Sequence, residues 1–141
     1  MFTTVSRSLR FLPVLLAVAV LACSEDSPAG PGGGTPSALI GTWNATAFNA
    51  LGQDLVAQGM GLTFTFDAQG AYSINITNDQ ANLCDVGPNC SVSGTYSATG
   101  SQITLDPIVD PVVLSYSIQG TTMTVSGTVD GIPITATFAK Q

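Results

Sequence analysis

Leu62-Thr63-Phe64-Thr65-Phe66, then Asp67-Ala68-Gln69-Gly70, then Tyr72-Ser73-Ile74-Asn75-Ile76-Thr77 is the stretch that decides the fold. Apolar side chains alternate with hydroxyl or amide side chains on both sides of a turn-forming tetrad. A period of two belongs to strands with one buried face, and a turn this short joins them as a hairpin.

The same alternation continues outward. Downstream, Val92, Gly94 and Tyr96 oppose Ser93, Thr95 and Ser97, and Gly100 marks a turn before Ile103 and Leu105. Leu114, Tyr116 and Ile118 oppose Ser115 and Ser117; after Gly120, Met123 and Val125 oppose Thr122 and Thr124. Asp130-Gly131 introduces a last strand in which Ile132, Ile134, Ala136 and Phe138 oppose Thr135 and Thr137. Upstream, Ile40 to Phe48 supplies a first strand. The reading is therefore all-β with eight strands, and the threonine-rich face suits strand backbone while staying wet without charge.

Eight successive antiparallel strands with short turns and one apolar face predict an up-and-down barrel over 38–141, because closure removes exposed edges. A two-sheet sandwich has the same alternation, but the succession of short connections favours the meander. Pro88, Pro107, Pro111 and Pro133 are expected at rims or edges, Pro133 at a strand start, bulge or edge. The connection from Asn49 to Gly61 breaks the rhythm. Its Leu51, Leu55, Val56 and Met60 suit either a cover over a barrel mouth or an extra hairpin packed outside.

Before the strands lies an export signature. Arg7 and Arg10 precede the uncharged run Phe11 to Ala22, which leads through Val20-Leu21-Ala22 into Cys23. As a helix, that run is about 18 Å long, short of the roughly 30 Å of a bilayer core. Residues 1–22 thus read as a cleaved signal peptide. The junction resembles a lipobox, the motif of bacterial lipoproteins, whose cysteine is acylated on sulfur and, after cleavage, on its new amino terminus. That resemblance implies a lipid anchor on Cys23, and several acyl chains hold stably where one would not. Ser24 behind the cysteine, rather than aspartate, implies the outer membrane of the cell envelope. The spacer Ser24 to Ser37, SEDSPAGPGGGTPS, has four glycines and three prolines and is expected to be a disordered linker within 23–37.

After cleavage Lys140 is the only basic side chain against nine acidic ones, a net side-chain charge of −8. That argues against nucleic acid as a partner and against electrostatic docking on anionic lipid, leaving the acyl anchor as the membrane contact. Histidine is absent, and with it the commonest general base and metal ligand. No catalytic constellation, metal site or cofactor is expected, and the chain does not read as an enzyme. With Cys23 committed to lipid, Cys84 and Cys90 form an even pair across Asp85-Val86-Gly87-Pro88-Asn89 and are expected to be disulfide-bonded. The oxygen-rich Asn78-Asp79-Gln80-Ala81-Asn82 lacks an EF-hand ladder, and Asp106-Pro107 and Asp110-Pro111 read as turn signals.

Leu39-Ile40-Gly41-Thr42-Trp43 is similar to the Gly-x-Trp start of lipocalin-like domains. Thr63-Phe64-Thr65-Phe66, Gly70-Ala71-Tyr72, Gly94-Thr95-Tyr96 and the terminal Phe138-Ala139-Lys140 resemble small bacterial lipocalin-like lipoproteins. The resemblance implies that Trp43 closes one barrel end, although no arginine stands near the end of the chain to cap it. It also implies a small hydrophobic ligand, bound or carried inside. If the barrel is roomy, Trp43, Phe64, Phe66, Tyr72, Tyr96, Tyr116 and Phe138 line the pocket. If these residues fill the interior instead, the domain is a structural or protein-interaction module of the envelope.

The anchor is tested directly. A Cys23→Ser variant is expected to leave the membrane fraction and to lack the acyl mass of the wild type on intact-protein mass spectrometry. Retention in the membrane with unchanged mass would refute acylation.

Overall fold

The computed structural model describes residues 36–106 and 110–141, so the segment read as a signal peptide, Cys23, most of the segment read as a linker and Pro107 lie outside the described residues. Nine strands form one antiparallel sheet: β1 (Gly41–Ala50), β2 (Gln53–Asp54), β3 (Gly61–Phe66), β4 (Ala71–Thr77), β5 (Cys90–Ala98), β6 (Gln102–Asp106), β7 (Val112–Gln119), β8 (Thr122–Val129) and β9 (Ile132–Lys140). From β3 onward each strand pairs with the next, and β9 returns to pair with β1. Eight strands thus close an up-and-down barrel, and the ninth, β2, is a two-residue addition beside the end of β1. The expected eight strands are all present.

Two connections show why the turns fall where they do. Asp67 accepts hydrogen bonds from the amides of Gln69 and Ala71 at 2.9 and 2.8 Å, tying down the hairpin that opens the pattern. Asp130 and Gly131 both have positive φ, at 50° and 80°, the backbone of a tight hairpin turn whose twist matches its flanking strands. Pro133 is the second residue of β9. It pairs with Thr128 on one side, while the β1 ladder ends at Ile134, so one of its flanks lies beyond any strand.

Closure needs a correction in β1 that alternation alone does not show. Trp43 and Phe48 are both buried, yet they are an odd number of residues apart, so a regular strand would turn one of them outward. The register along β9 shifts between Ala45 and Ala47, and the extra residue, Thr46, bonds the Thr137 carbonyl through its hydroxyl at 3.2 Å. This bulge puts Trp43 and then Phe48 and Ala50 on the inner face.

The connection after β1 combines the two expected arrangements. Asn49 and Ala50 pair with β2 as a small hairpin, and the following turn sends Leu55 and Met60 into the core. Asp54 holds the turn, accepting from the amides of Phe48 and Val56 at 3.1 Å and of Ala57 at 3.3 Å. The Phe48 amide above all, with those of Ala57 and Val56, keeps the Asp54 carboxyl below its ordinary range despite opposing desolvation.

Cys84 and Cys90 are disulfide-bonded, with Cα atoms 5.7 Å apart. Asp79 organises the loop they close, accepting from the amides of Ala81 at 2.9 Å and Cys84 at 2.7 Å. Asn78 and Gln80 then donate to the carbonyls of Gly59 and Gln58, joining this loop to the one after β2. Replacing both cysteines with alanine is expected to lower unfolding free energy by about 2 kcal/mol, the cost of releasing so short a loop. The denaturant midpoint should fall while the far-ultraviolet spectrum of the barrel persists.

Candidate ligand site at the open end of the barrel

The two ends of the barrel differ. One gathers the start of β1, the β3–β4, β5–β6 and β7–β8 turns and the end of β9. Here Trp43 is fully buried and donates its indole N–H to the Leu39 carbonyl at 2.8 Å. Lys140, its register partner on β9, sets Nζ 5.1 Å from the Trp43 ring and donates to the Ala38 carbonyl at 2.9 Å. The missing arginine is therefore replaced by a lysine, which caps the ring through a cation–π contact. Tyr96 and Tyr116 anchor the same end, each donating its hydroxyl at 2.6 Å, to the Asp67 and Thr99 carbonyls. This end is shut.

Above it the interior is packed solid. All seven aromatic residues expected on the inner face are there and buried: Trp43, Phe64, Phe66, Tyr72, Tyr96, Tyr116 and Phe138. Phe64 stacks on Phe66 at 5.4 Å and meets Phe138 edge-on at 5.4 Å; Phe66 meets Tyr96 edge-on at 4.9 Å. A void of about 10 Å³ lies among Phe64, Phe66, Ile103, Leu105, Leu114, Met123 and Val125. That is about the room one water needs, and an all-apolar lining gives water nothing to bond. Drug-sized ligands occupy some 300–1,000 Å³, roughly thirty to a hundred times more.

The opposite end is less complete. Over β1 and β3 the inner face is covered by Leu55 and Met60. Elsewhere Ile74, Val112, Val129, Ile132 and Ile134 are only half-buried, and Val92 is 42 % exposed. β6 pairs with β5 only from Thr95 onward, ending at Asp106, whereas β5 begins at Cys90. From Cys90 to Gly94 the flank of β5 away from β4 has no strand partner among the described residues. Every large hydrophobic residue that is exposed among the described residues, namely Leu51, Leu83, Val86, Val92 and Val113, belongs to this end.

Tyr72 packs on the inner face against β5. A Cβ at its register partner Gly94 would lie 3.0 Å from the Tyr72 ring and 2.6 Å from the Asp106 carbonyl, so only glycine lets the ring cross β5 toward the end of β6. Unlike Tyr96 and Tyr116, Tyr72 has no hydrogen-bond partner for its hydroxyl among the described residues. Burial, and then the Asp106 carboxylate, push this hydroxyl above its ordinary value of 10.0; burial, and then Tyr96, do the same for Tyr116. Asp106, a turn residue from sequence alone, thus acquires a neighbour that the β4–β5–β6 register supplies.

Because these phenols hold their protons longer in the folded state than in the unfolded one, their stabilisation is complete below about pH 10 and declines as pH rises through the folded values. Absorbance titration near 295 nm should show a late tyrosine component. It should shrink in Tyr72→Phe and again in the double variant with Tyr116→Phe. A single normal transition in the wild type would contradict the burial described.

A family model for the lipocalin-like domain matches residues 39–131. Among solved structures the chain is similar to Echinococcus granulosus fatty-acid-binding protein 1, at 14 % identity and a TM-score of 0.43, over 74 % of this chain and 98 % of that one. It is also similar to a Schistosoma mansoni fatty acid binding protein in complex with arachidonic acid, at 11 % identity and a TM-score of 0.41, over 74 % and 97 % of the two chains. No curated protein sequence matches it. The match from Leu39 through the Trp43 closure to the last hairpin, on a closed meander of eight strands, places this chain in the lipocalin-like domain family.

Proposed function

We propose that this protein is an envelope lipoprotein, tethered through an acylated Cys23 and the 24–37 linker, which binds a small hydrophobic ligand at the open end of its barrel. One observation carries the reading: packing along the inner face runs from complete to incomplete. The closed half leaves about 10 Å³. At the other end, Ile74, Val92, Val112, Ile132 and Ile134 are apolar, face inward and are not fully covered. Covering them gains roughly 25 cal/mol for each Å² removed from water, whereas entering the core would mean displacing packed aromatic rings. The ligand therefore seats at the rim.

The first described residues and the rim lie at opposite ends. The chain enters the barrel at the Trp43 end, where Lys140 holds the Ala38 carbonyl, so the acyl anchor would leave the rim facing away from the attachment point. The reading is of a binding domain and not an enzyme, since the carboxylates of Asp54, Asp67 and Asp79 are spent on backbone amides.

A second reading is favoured by the outer wall. Ser115, Ser117, Thr124 and Ser126 border a shallow open depression on β7 and β8, with hydroxyls and no charge. Such a face suits contact with another envelope protein or a polymer, with the barrel as a solid support.

The chain from Ser24 onward, which keeps the whole barrel, separates the two. Titration with N-phenyl-1-naphthylamine, an uncharged apolar fluorophore, is expected to raise its emission. Val92→Glu or Ile134→Glu should weaken binding at least tenfold, about 1.4 kcal/mol, while Met123→Leu in the closed half should not. No enhancement in the wild type, or equal binding by the rim variants, would favour the solid module.

A further inference from the structure

We infer that the open end of the barrel is also a docking surface for a cationic amphipathic segment of another protein, held by Leu51, Leu83 and Val86 on its loops and by the carboxylates around them. It does not depend on a ligand at the rim, because these side chains stand on connections beyond the strands.

Two of them are out of place for ordinary surface loops. Leu51 and Gly52 form the two-residue turn between the paired Ala50 and Gln53, with φ of 55° and 80°. Positive φ at both central positions is the hairpin geometry that asparagine and glycine prefer, and the Cβ of a leucine is strained there. Leucine gains no burial in return, being 69 % exposed. Val86, in the loop that the Cys84–Cys90 bridge closes, is 84 % exposed. Both loops are braced. Asp54 ties the turn after β2 to the Phe48 amide, buried Cys84 roots the bridged loop, and Asn78 and Gln80 bond one loop to the other. Aliphatic side chains held out on braced loops engage a partner at little further cost in ordering.

Charge commits the surface to one occupant. Among the described residues, Asp54, Asp79, Asp85, Asp110 and Asp130 lie in the connections at this end, and no lysine or arginine does. The closed end has Asp67 and Lys140, and the strands between add Asp106 alone. A second copy would bring the same carboxylates against these, and a bilayer of zwitterionic or anionic lipid offers no net positive charge to meet them. A basic segment does, and its apolar stripe covers Leu51, Leu83 and Val86. The widths agree as well. Eight strands about 4.8 Å apart close to a mouth roughly 15 Å across, and a helix with its side chains is about 10–12 Å wide.

Fluorescence anisotropy of a labelled peptide of about eighteen leucines and lysines, patterned as an amphipathic helix, tests this on the chain from Ser24 onward. The peptide is expected to bind, and its counterpart with glutamate for lysine to bind at least tenfold more weakly. Leu51→Asn combined with Val86→Ser leaves every charge in place and should weaken the basic peptide at least tenfold. Asp85→Asn combined with Asp130→Asn should lower its affinity and flatten its dependence on salt. Leu51→Asn alone should raise the thermal midpoint, since asparagine suits the turn, which separates a lost contact from a lost fold. Failure of the basic peptide to bind, equal affinity for the two peptides, or binding untouched by the Leu51 and Val86 changes overturns the assignment. So does partition onto phosphatidylcholine vesicles, or a dimer in sedimentation equilibrium, that those same two changes abolish. Enhancement of N-phenyl-1-naphthylamine emission is expected to survive them, keeping this surface distinct from the rim.

Discussion

Everything in this molecule depends on β1 serving two neighbours at once. Its first residues, Gly41 to Asn44, pair with β3, and almost its whole length pairs with β9, so this one strand is where the sheet closes on itself. An open meander would leave β1 and β9 as edges that invite pairing with other chains. Closing it satisfies both edges and creates an inside. The seam is pinned where Lys140 lies across Trp43 and reaches back to Ala38. It is adjusted by the bulge at Thr46, without which Phe48 and Ala50 would exchange places with their polar neighbours. A strand one residue shorter there would turn half of its face to water.

Closure also decides what kind of binder this is. Inner volume is set by strand number and tilt and is then filled or not by side chains. Here Phe64, Phe66, Phe138 and Tyr96 meet in stacked and edge-to-face pairs, and the aromatic volume that defines the core consumes the room a ligand would need. Removing any one ring from such a core would cost roughly 3–5 kcal/mol. The uncovered apolar surface lies instead at the other end, where Ile74, Val92, Val112, Ile132 and Ile134 are not fully buried.

Much of this was legible before any coordinates. Strict alternation from Leu62 to Thr77 and its repetition downstream placed all eight barrel strands, because burial of one face forces a period of two wherever it occurs. The Cys84–Cys90 bridge followed from parity and compartment, and the burial of the seven aromatics from their phase. The Thr46 bulge has only a faint sequence signal, Trp43 and Phe48 standing out of phase by one residue. Lys140 as the cap of Trp43 has none; the pair is nearly a hundred residues apart, and only the seam register brings it together. The close approach of the Tyr72 ring and the Asp106 backbone across Gly94 has no sequence signal; it needs β4, β5 and β6 in one register with a glycine between them.

A solid barrel can still offer a binding surface. A hydroxyl in the closed half finds a carbonyl, as Tyr96 and Tyr116 do, because the turns at that end bring backbone oxygens within reach. Toward the other end the inner face runs on through Ile74, Val92, Val112 and Ile134 without full cover. Polar groups are thus tied down where the barrel is shut, and uncovered apolar surface is left where it is not, which is the division a ligand seated at the rim requires.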